Sequence, residues 1–228
     1  MIPRRAIFFW EGPEMSWLRK QSIASFRVLN PSWEVVVIDG SGIPIQSNSP
    51  FESVLRSDWA RYRDLATNGG VYFDTDIVFC KQIPDSWLAQ DLLLTMSDTQ
   101  IVHHIAVMGS SKGNKWFSLL DEACERSYQP GHVYNYQFFG IELVTRMTFG
   151  LKGLDTCWIP PEAFLPIPWD ITHHLWRDDS QLSPLVYGVH WYGGDRLSMS
   201  LEPRVDLEYV THSKSLVALA WRKSLGSQ

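Results

Sequence analysis

Asp74-Thr75-Asp76 interrupts an apolar stretch, with Val71-Tyr72-Phe73 before it and Ile77-Val78-Phe79 after it. Two carboxylates two residues apart in an extended segment point the same way. At the mouth of an apolar strand, their repulsion and desolvation are costly unless a cation sits between them. Hard divalent ions such as Mn²⁺ or Mg²⁺ take carboxylate and phosphate oxygens, and Mg²⁺ usually combines one or two protein carboxylates with substrate phosphates. A nucleotide diphosphate is the natural third party. A solvated turn is the ordinary explanation of an isolated D-x-D, so the surrounding residues decide.

Those surroundings are Ser57-Asp58-Trp59-Ala60-Arg61-Tyr62-Arg63-Asp64-Leu65-Ala66-Thr67-Asn68-Gly69-Gly70. Asp58, Arg61 and Tyr62 fall at i, i+3 and i+4, on one helical face, and Gly69-Gly70 ends the helix and lets the next strand pass close by. That face can look toward the aspartates. An exposed Asp-Arg helix pair elsewhere would be worth little.

The elements that must position these residues alternate. Ala6 to Trp10 reads as a strand and Glu14 to Leu29 as an amphipathic helix. Trp33 to Ile38 reads as a strand buried on both faces of a parallel sheet, and Phe51 to Asn68 as a second helix. Beyond the aspartates, Leu92 to Met96, Ile101 to Met108 and Leu185 to Trp191 suit strands, while Asn114 to Tyr128, Tyr136 to Phe149 and Ser213 to Leu225 suit helices. The proline-dense stretch Trp158 to Trp169 reads as a long surface connection. This order predicts an α/β layered fold whose ligands bind beyond the carboxyl ends of the strands.

With 228 residues, 45% hydrophobic and 20% charged, the chain can bury one core, and a single domain over 1–228 is expected. A net charge of −5 with scattered Lys and Arg argues against nucleic acid. The apolar run Ala6 to Trp10 after Arg4-Arg5 is too short for a signal peptide or membrane span. Cys80, Cys124 and Cys157 lack metal-ligand spacing and suit a reduced, cytoplasmic setting. A position peripheral to a membrane stays open, although no basic amphipathic helix argues for it.

The run S-D-x-x-R-Y, then G-G-x-Y, then D-x-D resembles the DXD-region sugar transferases of glycosyltransferase family 32 and their relatives. These include mannosyltransferases, α-1,4-galactosyltransferases, capsular-polysaccharide enzymes and clostridial glucosylating toxins. Ile7-Phe8-Phe9-Trp10-Glu11-Gly12 and Asn30-Pro31-Ser32-Trp33-Glu34 extend the likeness toward the N-terminus. The resemblance is strong over the first third of the chain and weak beyond it. It implies a GT-A-type, Rossmann-like fold with a mostly parallel sheet, and a retaining transferase that uses a UDP-sugar or GDP-mannose with Mn²⁺ or Mg²⁺. The acceptor would be a polysaccharide, a lipid-linked glycan or a protein, with 1–110 the nucleotide-sugar and metal half and 111–228 the acceptor half. Trp10 would stack on the base, and Asp58, Arg61 and Tyr62 would lie at the donor sugar and phosphate. Asp74 would touch ribose and sugar, and Asp76 would bind the metal. His190-Trp191 matches the family's C-terminal His-Trp, with His190 as a further ligand and Trp191 at the donor. Tyr192-Gly193-Gly194-Asp195 departs from the family's usual ending. Glu142 lies where the family has an acceptor-side turn, and it reads equally as a surface glutamate.

A haloacid-dehalogenase-like phosphatase is the main competitor. Asp74 would be its nucleophile, Asp76 its general acid and Asp178-Asp179 its distal acidic pair. Against it, a β-α-β-α unit precedes the motif and the S-D-x-x-R-Y helix goes unexplained. A degenerate transferase that binds a nucleotide-sugar without turnover is the non-enzyme alternative. The aromatic stretch Trp158 to Trp176 suits an acceptor groove, a packed core or a lid. His103-His104 and His173-His174 read as surface residues.

Overall fold

The computed structural model describes residues 1–96, 103–148 and 153–226. They divide into two compact units that interleave along the chain. One is built from Met1–Gly12, Glu34–Phe73 and Asp85–Pro160, the other from Pro13–Trp33, Asp74–Pro84 and Pro161–Gln228.

The first unit holds a six-stranded sheet. Its strands are β1 (Arg5–Phe9), β2 (Glu34–Ile38), β3 (Gly70–Phe73), β5 (Leu92–Met96), β6 (His103–Ser110) and β7 (Thr156–Ile159), in the order β2-β1-β3-β6-β5-β7. β2 and β3 run parallel to β1, β6 is antiparallel to both β3 and β5, and β7 is parallel to β5. The sheet is therefore mixed, with its parallel part where the sequence opens β-α-β. Helix α2 (Glu52–Asn68) connects β2 to β3, and α3 (Lys115–Ser127) and α4 (Ile141–Thr148) follow β6. Gly69 and Gly70 both take positive φ, and a Cβ on Gly70 would lie 2.5 Å from the Arg5 carbonyl oxygen. Only glycine lets β3 enter beside β1. Between helices and sheet lies a core of Trp59, Tyr62, Phe117, Leu120 and Phe139.

Three expectations change. β2 is an edge strand with Val37 44% exposed, so its β-branched run is half-buried rather than covered on both faces. Trp158 lies in β7, and the following Ala163-Phe164-Leu165 is buried, so this stretch contributes strand and core instead of a surface connection. Helix α4 begins only at Ile141, because the aromatic rings of Tyr134, Phe138 and Phe139 pack on one another in a non-helical turn. The expected helix end at Phe149 and strand start at Ile101 lie outside the described residues.

The second unit centres on the antiparallel pair β4 (Ile77–Phe79) and β8 (Gly188–His190). Helix α1 (Trp17–Leu29) is capped by Ser16, whose hydroxyl accepts from the Arg19 N–H. It packs on β4 through Phe26, edge-on to Phe79 at 5.0 Å, and Ser25 accepts the Phe79 N–H. Helices α5 (Arg196–Leu201), α6 (Leu207–His212) and α7 (Leu216–Leu225) complete the unit. Leu18, Val78, Val189, Trp191 and Val217 form its core.

Candidate metal centre

The ladder of the second unit pairs Ile77 with His190, so a residue late in the chain comes to rest beside the aspartates. Asp74, Thr75 and Asp76 form a turn rather than an extended segment, yet both carboxylates reach one imidazole. His190 Nε2 lies 3.1 Å from Asp76 Oδ1 and 3.8 Å from Asp74 Oδ2. One ligand atom from each of the three residues falls within 4.8 Å of the other two. Two carboxylates and an imidazole are a donor set that suits Mn²⁺ and accepts Mg²⁺. His190 Nδ1 is buried with no hydrogen-bond partner among the described residues, and the Tyr192 ring packs edge-on to the imidazole at 4.4 Å.

Charge is balanced locally. Burial raises the Asp76 pKa, but the His190 charge and hydrogen bond, Arg19 and the Gly193 N–H outweigh it and hold the carboxyl below the usual carboxylate range. Burial lowers the His190 pKa, and the Asp76 charge and hydrogen bond, with Asp74 behind them, carry it above its ordinary value.

Gly193 donates its N–H to Asp76 Oδ2 at 2.6 Å. Tyr192 holds φ +53 and donates its hydroxyl to the Ile167 carbonyl, while Asp195 caps α5. The segment that departs from the family's ending thus supplies a backbone amide to the aspartate turn. Gly193 and Arg19 were missed by sequence reasoning. The Gly193-Gly194 pair after His190-Trp191 was the available signal for one, whereas Arg19 reads as an ordinary solvated helix charge.

Trp191 is 0% exposed in the second unit's core, and Tyr62 is equally buried in the first, with its hydroxyl donating to the Phe139 carbonyl at 2.7 Å. Both were expected at the donor. In the structure each ring packs in an apolar cluster. Asp58 and Arg61 are buried in the first unit, with Arg61 Nη2 3.0 Å from Asp58 Oδ1, Nη1 donating to the Ile105 carbonyl at 2.7 Å, and the guanidinium 4.2 Å from the Tyr72 ring centroid. Trp10 is half-buried at the end of β1, its N–H donating to the Ile38 carbonyl. Glu142 accepts from the Asn135 amide. Of the phosphatase pair, Asp178 accepts from Ser213 and Lys214 and Asp179 pairs with Arg177, which leaves both committed to local surface structure. His173 and His174 stack at 4.2 Å in the 3₁₀ segment Trp169–Trp176.

Residues 18–94 match the family described as the glycosyltransferase sugar-binding region containing the DXD motif. The chain carries a DXD-motif glycosyltransferase-like domain. The transferase-like domain has the GT-A fold. A galactosyltransferase, LgtC, solved with donor and acceptor sugar analogs, is similar over 98% of this chain and 95% of its own, at 13% identity and a TM-score of 0.52. A glycosyltransferase involved in glycosylation of the major capsid of PBCV-1 is similar over 86% of this chain and 97% of its own, at 12% identity and a TM-score of 0.54. No curated protein matches the transferase-like domain in sequence. Among its described residues no helix is long and apolar enough to cross a membrane.

Proposed function

We propose that this chain is a metal-dependent hexosyltransferase that moves a sugar from a nucleotide-sugar, a UDP-sugar in preference to GDP-mannose, to a glycan, lipid-linked glycan or protein acceptor. The observation that carries this reading is the convergence of Asp74, Asp76 and His190 at the D-x-D of a GT-A fold. Bound there, Mn²⁺ or Mg²⁺ would act as a Lewis acid toward the departing diphosphate. Asp76 and Asp74 supply carboxylate oxygens and His190 a neutral imidazole, while the Gly193 N–H fixes the orientation of Asp76.

In the first unit, Asp58 and Arg61 are assigned to the donor's sugar hydroxyls and phosphate, and Trp10 to the base. Transfer proceeds with retention, without a covalent carboxylate intermediate, and the setting is cytoplasmic. The resemblance of the S-D-x-x-R-Y and W-x-G segments supports the donor contacts and retention, and the three unpaired cysteines support the setting.

The test is donor hydrolysis by purified protein against UDP- and GDP-sugars with Mn²⁺, with Mg²⁺ and with chelator. Metal-dependent release of UDP or GDP that is lost in Asp76→Asn supports the reading. Donor binding with no turnover under any metal and acceptor condition would leave a binding module in its place.

A further inference from the structure

We propose that Arg19 is a positioning residue for the Asp74–Asp76–His190 cluster, gripping the aspartate turn by its middle residue while Glu202 grips Arg19; this rests on the metal reading above. Arg19 Nη1 donates to Thr75 Oγ1 at 2.8 Å, and Thr75 is buried. Thr75 sits between the two aspartates, so any rotation of its backbone moves both carboxylates.

Arg19 is itself held from two sides. Its Nε donates to Glu202 Oε1 at 2.9 Å and its Nη2 approaches Glu202 Oε2 at 3.4 Å. Ser16 accepts the Arg19 backbone N–H and donates to the same Glu202 oxygen at 2.5 Å. The result is a closed ring of Ser16, Arg19 and Glu202, with both charged side chains largely buried. The guanidinium also lies 5.9 Å from the ring centroid of Trp191, the residue after His190. One side chain therefore reaches the segments that carry all three ligands.

Charge explains why Glu202 is needed. A lone guanidinium beside a cation site would repel the ion. Paired with Glu202, Arg19 is neutralised, and the two aspartates are left to balance a divalent cation. Groups of this kind, which hold ligands without touching the metal, typically change metal affinity by about 10–100-fold when removed.

Mn²⁺ binding to the full chain, measured by calorimetry without donor, tests this. We expect Thr75→Val, which keeps the shape but removes the hydroxyl, to weaken Mn²⁺ binding by about tenfold or more, and Thr75→Ser to stay within about twofold of wild type. Arg19→Gln should match Thr75→Val, and if it does not fold, the Thr75 pair decides alone. Wild-type affinity in Thr75→Val overturns the proposal, as does a Thr75→Ser variant that loses as much as Thr75→Val, since packing of the methyl would then be responsible. A wild-type chain that binds no Mn²⁺ overturns the metal reading itself, an outcome distinguishable from the others because it needs no variant.

Discussion

His190 Nε2 and Asp76 Oδ1 lie 3.1 Å apart, joined across 114 positions of chain by the β4–β8 ladder. The contact is an ion pair when the ring is protonated and joins two of the three candidate metal ligands, and the two uses would compete for one proton.

The competition fixes a pH dependence. Asp76 titrates below its ordinary 3.8, so its contribution to stability is present above that value and is lost as pH falls through the lower folded pKa. His190 titrates above its ordinary 6.5, so its contribution is complete below 6.5 and is lost as pH rises through the raised folded pKa. The metal-free protein should therefore lose Tm on the alkaline side of 6.5. His190→Ala should remove that alkaline decline, and excess Mn²⁺ should reverse it, because the deprotonated ring is the ligand. Thermal melts at several pH values, with and without metal, check the sign. An alkaline decline unchanged in His190→Ala would refute the assignment.

Gly193 should not tolerate a side chain. A Cβ there would collide with Arg19 Nη2 and come within 3.1 Å of Asp76 Oδ2, and Arg19 is too well anchored to step aside. Gly193→Ala should fold yet bind Mn²⁺ at least about tenfold more weakly, by analogy with other supporting groups. Calorimetry alongside circular dichroism separates the two effects.

Removing Arg61 should cost stability before it reports on catalysis. Arg61→Leu removes the guanidinium that pairs with buried Asp58, and loss of about 3–5 kcal/mol is expected in urea unfolding. A loss under about 1 kcal/mol would show that the pair is solvated in solution, as exposed ion pairs are.

Thiol chemistry tests the core independently. Burial pushes the Cys80 thiol up to about 11 and Cys124 well above its ordinary value, and it also raises Cys157, which is only half-buried and so reachable by a reagent. A thiol reagent at pH 8 should label Cys157 first in the native protein and all three cysteines in urea. Rapid native labelling of Cys124 would contradict the packing of the first unit.

Much of the donor side was legible because its signals are local. The strand-helix-strand opening, the glycine pair and the aspartates each follow from residues within a few positions of one another. Partner choice was less legible. The run Glu34–Ile38 has the composition of a central strand, and nothing within it says that β2 lies at the sheet's edge. Thr156–Ile159 was hidden by the prolines that follow it. The helical face that carries Tyr62 and the His-Trp ending that carries Trp191 are legible in the sequence, but that each ring packs in an apolar cluster depends on residues distant in the chain. Arg19 was invisible because its partners, Thr75 and Glu202, are 56 and 183 residues away.

The order of synthesis gives the β4–β8 ladder a temporal meaning. A nascent chain that has emerged as far as Val189 already contains Asp74 and Asp76 but not the imidazole that joins them, and Gly193 and Glu202 emerge later still. A cation held by all three candidate ligands would have to wait until His190 has left the ribosome. A chain cut before His190 would therefore keep its aspartate motif and lack the imidazole of the candidate centre.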